Sequence, residues 1–287
     1  MTVLIQSARL RLPTFARSWS ARIGLALVGL ILLLTLVGPF LAPYSPTELG
    51  ASPYIGPSRA HFLGSDFLGR DVLSRLLYGG RTVIALAGLA TLLAYIGGAL
   101  VGLVAGFTRS VVDPLLMRAM DVLLAFPPIL FLLVLATGAG ATPAAVVIGI
   151  AIIQMPGIAR VIRAATLETS VRGYVEAAVA RGEPTWRILR REIFPNIVST
   201  IVADGGPRFT VSILLVAGLN FLGLGIRPPA ADWAVMISEN RTGLTVNPWA
   251  VVAPALVIGA LTVSVNLVAD SIARSRGISA DRDVIRR

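Results

Sequence analysis

The sequence has no cysteine, no lysine and a single histidine, His61. The first absence excludes disulfides, thiolate nucleophiles and Cys-ligated metal. The second excludes a Walker-type ATPase, because a P-loop needs the lysine of GxxxxGK[ST] to reach the phosphates. One histidine cannot build a His-rich metal site. Charge is scarce too: 14% of the residues carry one, against about 25% in a soluble domain. What is left is apolar, 55% of 287 residues, and it stands in long runs.

Crossing a bilayer takes roughly 20 mostly apolar residues. Ile23 to Leu41 is 19 residues without a charge, Thr82 to Phe107 is 26, and Phe209 to Ile226 is 18. Thr242 to Ala269 is 28 residues and includes some loop. Val122 to Ala159, 38 residues, is too long for one span. Its middle, Gly138-Ala-Gly-Ala-Thr-Pro143, is a turn signal that divides it in two. A charge at a helix centre costs about 2.5–3.5 kcal/mol, so charges mark the boundaries. The expectation is an all-α integral membrane protein with six transmembrane helices. Its parts are a tail over 1–22, a first helix over 23–41, an outer segment over 42–81, a five-helix core over 82–272 holding a loop at 166–196, and a tail over 273–287.

Arg17 and Arg22 precede the first run, as in a signal peptide. That run exceeds the usual h-region of roughly 7–15 residues, and Pro39-Phe-Leu-Ala-Pro43 is a poor cleavage site, so it reads as an uncleaved span. With the N-terminus inside, eighteen of the 25 arginines fall in inner segments and six in outer ones, with Arg208 at a span edge. Basic residues favour the cytoplasmic side. Both termini and the 166–196 loop are therefore expected inside, and the net charge of +10 is explained without nucleic acid.

That loop is polar and arginine-rich. Val171, Val175 and Val179 mark one helix face by their four-residue spacing. Gly182 breaks the helix, and Pro184 suits the first turn of a second one, running through Trp186, Ile188, Leu189 and Ile193 to Pro195. Trp186 is an aromatic anchor of the kind enriched at binding hot spots. Periodicity alone leaves two readings open: an amphipathic loop lying on the headgroups, or a docking element.

Glu176-Ala177-Ala178, then Gly182, then Ile193-Phe194-Pro195 resembles the EAA loop of ATP-binding-cassette importer permeases. The resemblance implies a coupling helix that docks on a cytoplasmic ATPase. Glu176, Ala177 and Ala178 would form the docking surface, Gly182 the turn, and Trp186 and Pro195 further parts of the element. The likeness extends along the chain. His61-Phe-Leu-Gly-Ser-Asp-Phe-Leu-Gly-Arg-Asp71, Met120-Asp121, Leu124-Ala-Phe-Pro127, Phe221-Leu-Gly-Leu-Gly225, Pro228-Pro229, Trp233, Asn266, Leu267 and Asp270 are similar to segments of dipeptide and oligopeptide permeases. Residues 12 to 60 are like the extension of their C-type subunit. Arg276-Gly277-Ile278 and Asn220 depart from the family's usual residues.

The resemblance implies a type I importer permease fold. It implies a second permease subunit, two ATPase subunits binding ATP and Mg, an extracytoplasmic solute-binding protein, and a bacterial inner membrane as the setting. Nickel chelates or glutathione stay open as substrates beside peptides. An ion-coupled carrier would need intramembrane carboxylates, yet Asp121, Asp204 and Asp270 fall at expected span ends. A scaffold without transport gives no reason for the EAA pattern.

Other positions carry paired readings. Gly98, Gly102 and Gly106 let helices approach closely, either within the chain or against a sliding partner. Asp204 and Arg208 stand in the favourable acid-before-base order near the expected inner start of span five. The pair lowers the cost of insertion, or Arg208 meets a peptide carboxylate on a substrate path that includes Asn220. Asp113, Arg118 and Asp121 read as a salt-bridged helix end or a second ATPase contact, and Pro127-Pro128 as a kink or a hinge. His61, Asp66, Arg70 and Asp71 read as an outer surface segment or a structural cap, and Trp233 and Trp249 as an outer aromatic belt.

Overall fold

A computed structural model describes residues 18–108, 110–140, 142–225 and 230–285, with side chains to 272. The N-terminal tail with Arg9, Arg11 and Arg17 lies outside the described residues, as do Arg109, Arg227, Pro228 and Pro229. So do the side chains of the five arginines after residue 272.

The described chain is helical, in the order α1 Trp19–Leu41, α2 Val72–Thr108, α3 Val112–Leu124, α4 Pro128–Gly138, α5 Pro143–Ser170, α6 Gly173–Ala180, α7 Thr185–Ile188, α8 Phe194–Phe221, α9 Trp233–Asn240 and α10 Trp249–Ile285. Five helical stretches are long and apolar enough to cross a membrane, and α3 with α4 makes a sixth if the bent pair is one span. A multi-pass membrane protein is thus what the sequence encodes. Helices run past the charge-free windows because a span's ends carry charge beyond the hydrocarbon. α2 starts ten residues before Thr82, α5 reaches Ser170, and α8 starts at Phe194 instead of Phe209.

The third span departs most from expectation. Pro127 and Pro128 both lack an N–H, so two consecutive helical hydrogen bonds cannot form. The chain bends by 82° between α3 and α4. At 1.5 Å per residue the 11 residues of α4 reach only about 16 Å, too short to cross a core of about 30 Å alone. Two ion pairs tie α3 to α5. Arg163 donates twice to the Asp113 carboxylate, at 2.6 Å each, and Arg160 donates to Asp121 at 2.6 Å.

The helix pairing is set by small residues, since lipid tails supply no hydrophobic drive between helices. On α2, Gly98, Gly102 and Gly106 face α5 of the same chain. A Cβ at Gly98 would lie 2.7 Å from Ile158 Cγ2, and one at Gly102 would lie 2.6 Å from the Ala159 carbonyl oxygen. The stripe is an internal seam. α1 packs on α10 by the same means, with Gly24 against Leu267 and Ser264. Pro39 within α1 leaves the Thr35 carbonyl without its helical donor, and Arg81 on α2 donates to it at 3.0 Å and to the Leu36 carbonyl at 2.8 Å.

A buried ion cluster pins the segment before α2. Arg70 donates to Asp66 at 2.6 Å and to Glu239 of α9 at 2.9 Å; Arg75 of α2 bonds the same two carboxylates. Asp71 caps α2 by accepting from the Ser74 N–H at 2.7 Å, and its other oxygen meets His61 Nδ1 at 2.9 Å. His61 and Asp71 therefore act as the structural cap. Trp233 is buried against Gly79 and Gly80 and donates to the Leu76 carbonyl at 2.8 Å. It is a core residue, whereas Trp249 is exposed.

Candidate functional site

The elbow after α5 is assembled from local rules. α6 ends in a left-handed glycine: Gly182 has φ +73. The Gly182 N–H donates to the Val179 carbonyl at 2.9 Å, and the Glu183 N–H to the Ala178 carbonyl at 3.2 Å. These two bonds are the Schellman closure of a helix end, which favours glycine at that position. Pro184 follows, with its extended backbone, and caps the start of α7.

From α7 the helix widens into one π turn over Leu189–Ile193 before continuing as α8. Pro195 explains the widening. It has no N–H to give the Arg191 carbonyl, and such turns absorb a local break in the ladder. The stretch Thr185–Phe221 is otherwise a single helical run of 37 residues.

The elbow sits on an apolar seat. Val175 and Ala178 of α6 are buried with Ile188, Ile193 and Ile197, and these cluster with Ile158 and Ile162 of α5. Glu176 and Ala177 remain exposed, on the open side of α6. Ala178 has no exposed surface, so its small size serves the fit of α6 onto its seat. The expected docking surface of Glu176, Ala177 and Ala178 reduces to its first two side chains. Gly182, Trp186 and Pro195 are all exposed. Trp186, at 60% exposure, lines a recess of about 290 Å³ with Leu100, Leu103 and Val104 of α2 and Leu189, Arg190 and Phe194. It faces the side of the helix bundle as well as the elbow.

A second polar cluster lies in the middle of the helices. Arg208 is the fifteenth of the 28 residues of α8, half-way along and not at its start. Its Nε donates to Asp204 at 3.1 Å, and Asp204 also accepts from the Tyr95 hydroxyl at 2.8 Å. Gln154 of α5 donates to the Arg208 carbonyl at 3.2 Å and to the Ser212 hydroxyl at 2.5 Å, and Ser212 meets Thr91 at 2.7 Å. Tyr95 and Gln154 were not singled out from the sequence. Gln154 had a signal, as the sole side-chain amide in the run Val122 to Ala159.

Asn220 does not join Arg208. It is buried, and it donates to Asp232 at 2.9 Å, holding the end of α8 to the start of α9. Its expected place on a substrate path finds no support in this contact, which ties two helix ends together. Asp232 also accepts from the N–H groups of Ala234 and Val235 as the cap of α9. Burial pushes the Asp232 carboxyl up to about 6, against the three hydrogen bonds that pull it down. Among the described residues no cluster of three or more His, Cys, Asp or Glu could hold a metal ion.

Comparison with known proteins matches this arrangement to a family. Residues 98–277 match the profile of the binding-protein-dependent transport system inner membrane component. Residues 9–57 match the N-terminal TM domain of oligopeptide transport permease C. The glutathione transport system permease protein GsiD of Pectobacterium atrosepticum is 39% identical over 76% of this chain and 72% of its own. The di/tripeptide transport system permease protein DppC of Pseudomonas aeruginosa is 34% identical over 90% and 88%. The dipeptide permease DppC of Haemophilus influenzae is 31% identical over 90% of each. Among solved structures, the MetNI methionine ABC transporter in inward-facing form aligns with TM-score 0.58 and 17% identity over 70% of this chain and 95% of that one. An amino acid ABC transporter aligns with TM-score 0.55 and 19% identity over 70% and 93%. At those identities the structural likeness speaks for the fold alone. The chain belongs to the inner-membrane permease family of binding-protein-dependent ABC importers.

Proposed function

We propose that this chain is one permease subunit of an ATP-driven importer of dipeptides or oligopeptides. It lies in the bacterial inner membrane with both termini in the cytoplasm. It catalyses no reaction itself. Two cytoplasmic ATPase subunits bind ATP and Mg, a second permease completes the path, and an extracytoplasmic solute-binding protein delivers the peptide.

The observation that carries this reading is the seated elbow. Glu176 and Ala177 face outward from a helix whose other face is locked onto α5. α7 continues through the π turn into α8. A push on the elbow therefore moves α5 and α8 together, and these helices carry Gln154 and Arg208 part-way along their length, hydrogen-bonded to each other. ATP binding draws the ATPases together, the elbows follow, and the bundles rock about a site near the midplane.

Peptide as substrate rests on the relatives' names, and the 39%-identical glutathione permease supports a second reading in which the cargo is that tripeptide. An ion-coupled carrier needs a carboxylate free to load a proton. Asp204 now lies mid-helix, but Arg208 and Tyr95 hold it. The test is uptake of labelled dipeptide, glutathione and nickel into liposomes containing the full complex. Peptide uptake that needs ATP and ignores a proton gradient is expected. Uptake driven by the gradient without ATP overturns the reading.

A further inference from the structure

We infer that Arg208, with Gln154 and Gly157 of α5, forms a mid-membrane station that reads the carboxylate of the passing solute. This rests on the importer reading above and adds a recognition step inside the permease.

Four observations converge. Arg208 stands at the midpoint of α8. Only its Nε is engaged within the described residues, by Asp204, and its side chain stays partly open. The two terminal nitrogens make no hydrogen bond there. Gly157 is the second feature: a Cβ at that position would lie 2.5 Å from Arg208 Nη1. The missing side chain lets the guanidinium rest on the α5 backbone. The third is Gln154, one turn earlier on α5. Its Nε2 is fixed by the Arg208 carbonyl and Ser212, which leaves Oε1 buried and without a partner. The fourth is charge: Asp204 balances Arg208, so the pair is neutral as a unit.

An arginine at this depth with free N–H groups does not face acyl chains. Such residues look into the bundle or a water-filled cavity. The free edge of the guanidinium matches a carboxylate in two-point geometry. Gln154 holds this turn of α8 against α5 through the Arg208 carbonyl and Ser212, which positions the arginine. Asp204 weakens the hold, which suits a site that must be both entered and left. The station favours a carboxylate-bearing solute over its neutral amide, through the two-point geometry of the guanidinium edge.

The test uses the complete complex in liposomes with its binding protein. ATP-dependent uptake is compared for a labelled dipeptide and its C-terminal amide, giving an acid-to-amide ratio. The double variant Asp204→Asn with Arg208→Gln removes the pair without leaving a lone charge. It is expected to lower uptake of the acid about tenfold and leave the amide within about twofold. Gly157→Ala displaces the guanidinium while keeping every charge, and is expected to lower the ratio severalfold. The binding protein is the same throughout, so a changed ratio belongs to the permease. A variant complex that assembles and transports with an unchanged ratio overturns the inference; if the double variant fails to assemble, the Gly157→Ala ratio alone decides. A wild-type complex that takes up neither peptide overturns the peptide reading and the station with it, whereas uptake with an unaltered ratio removes the station only.

Discussion

A single glycine decides whether the elbow closes. Nothing lies within 4 Å of where a Gly182 Cβ would sit, so a substitution there is opposed by backbone conformation alone. A left-handed residue with a Cβ costs roughly 1–2 kcal/mol, and Asn tolerates the region better than others. Gly182→Val is therefore expected to disrupt the turn and lower co-purification of the ATPase at least tenfold, while Gly182→Asn keeps most of it. Equal recovery with both variants would show that the turn is not what the ATPase reads. Asp232 offers a pH test at the same scale. Burial raises its carboxyl to about 6 in the folded protein from the ordinary 3.8. Between those values the folded state holds more protons than the unfolded one, so stability falls as pH rises. The effect is on the order of 2–3 kcal/mol. Thermal melts of the purified protein should be higher at pH 5 than at pH 7.5, and Asp232→Asn should flatten that difference. Gly182 was legible because a left-handed turn demands its residue type. Spacing cannot say that of two neighbouring alanines it is Ala178 that points inward, nor that the partner of Asn220 is Asp232, beyond the end of its helix.

The helices themselves show what charge gaps can and cannot mark. Apolar runs located the five long spans but ended early wherever a helix carries charge past the hydrocarbon. Hence α8 begins fifteen residues before Phe209, and the pair Asp204 and Arg208 moves from an expected end to the middle. The double proline is legible as a break; its 82° bend is not, because missing N–H groups open the helix without setting an angle. The seam between α2 and α5 gives an element-scale prediction. A leucine at Gly102 would drive its Cβ within 2.6 Å of the Ala159 carbonyl oxygen. Overpacking of this kind costs about 1–3 kcal/mol. Gly102→Leu should lower the melting temperature by several degrees in detergent, whereas Leu100→Ala, on an exposed position of the same helix, should leave it nearly unchanged. Equal effects from the two would argue against the seam.

At the scale of the whole molecule, the outer ion cluster and the inner elbow sit at opposite ends of the same bundle by the arginine count. Asp66, Arg70, Arg75 and Glu239 brace the end that would meet the binding protein. α6 and α7 form the end that would meet the ATPase. On the proposed reading, the braced end and an elbow fused to α8 would make a lever that tilts as one body. Membrane sidedness checks this arrangement cheaply, since the chain has no cysteine. Cysteine introduced at Arg59 should react with an impermeant reagent in intact cells, and cysteine at Glu183 should not. The reverse pattern would invert the molecule and remove the elbow from the ATPase's side.

The central claim is mechanical contact between the elbow and a nucleotide-hydrolysing partner. The most direct measurement places a single cysteine at Ala177, on the open face of α6, in the assembled complex. The account predicts that it cross-links at short range to the ATPase subunit, and that adding ATP changes the yield. A cysteine that labels freely with the ATPases bound, and cross-links to none of them, would contradict it.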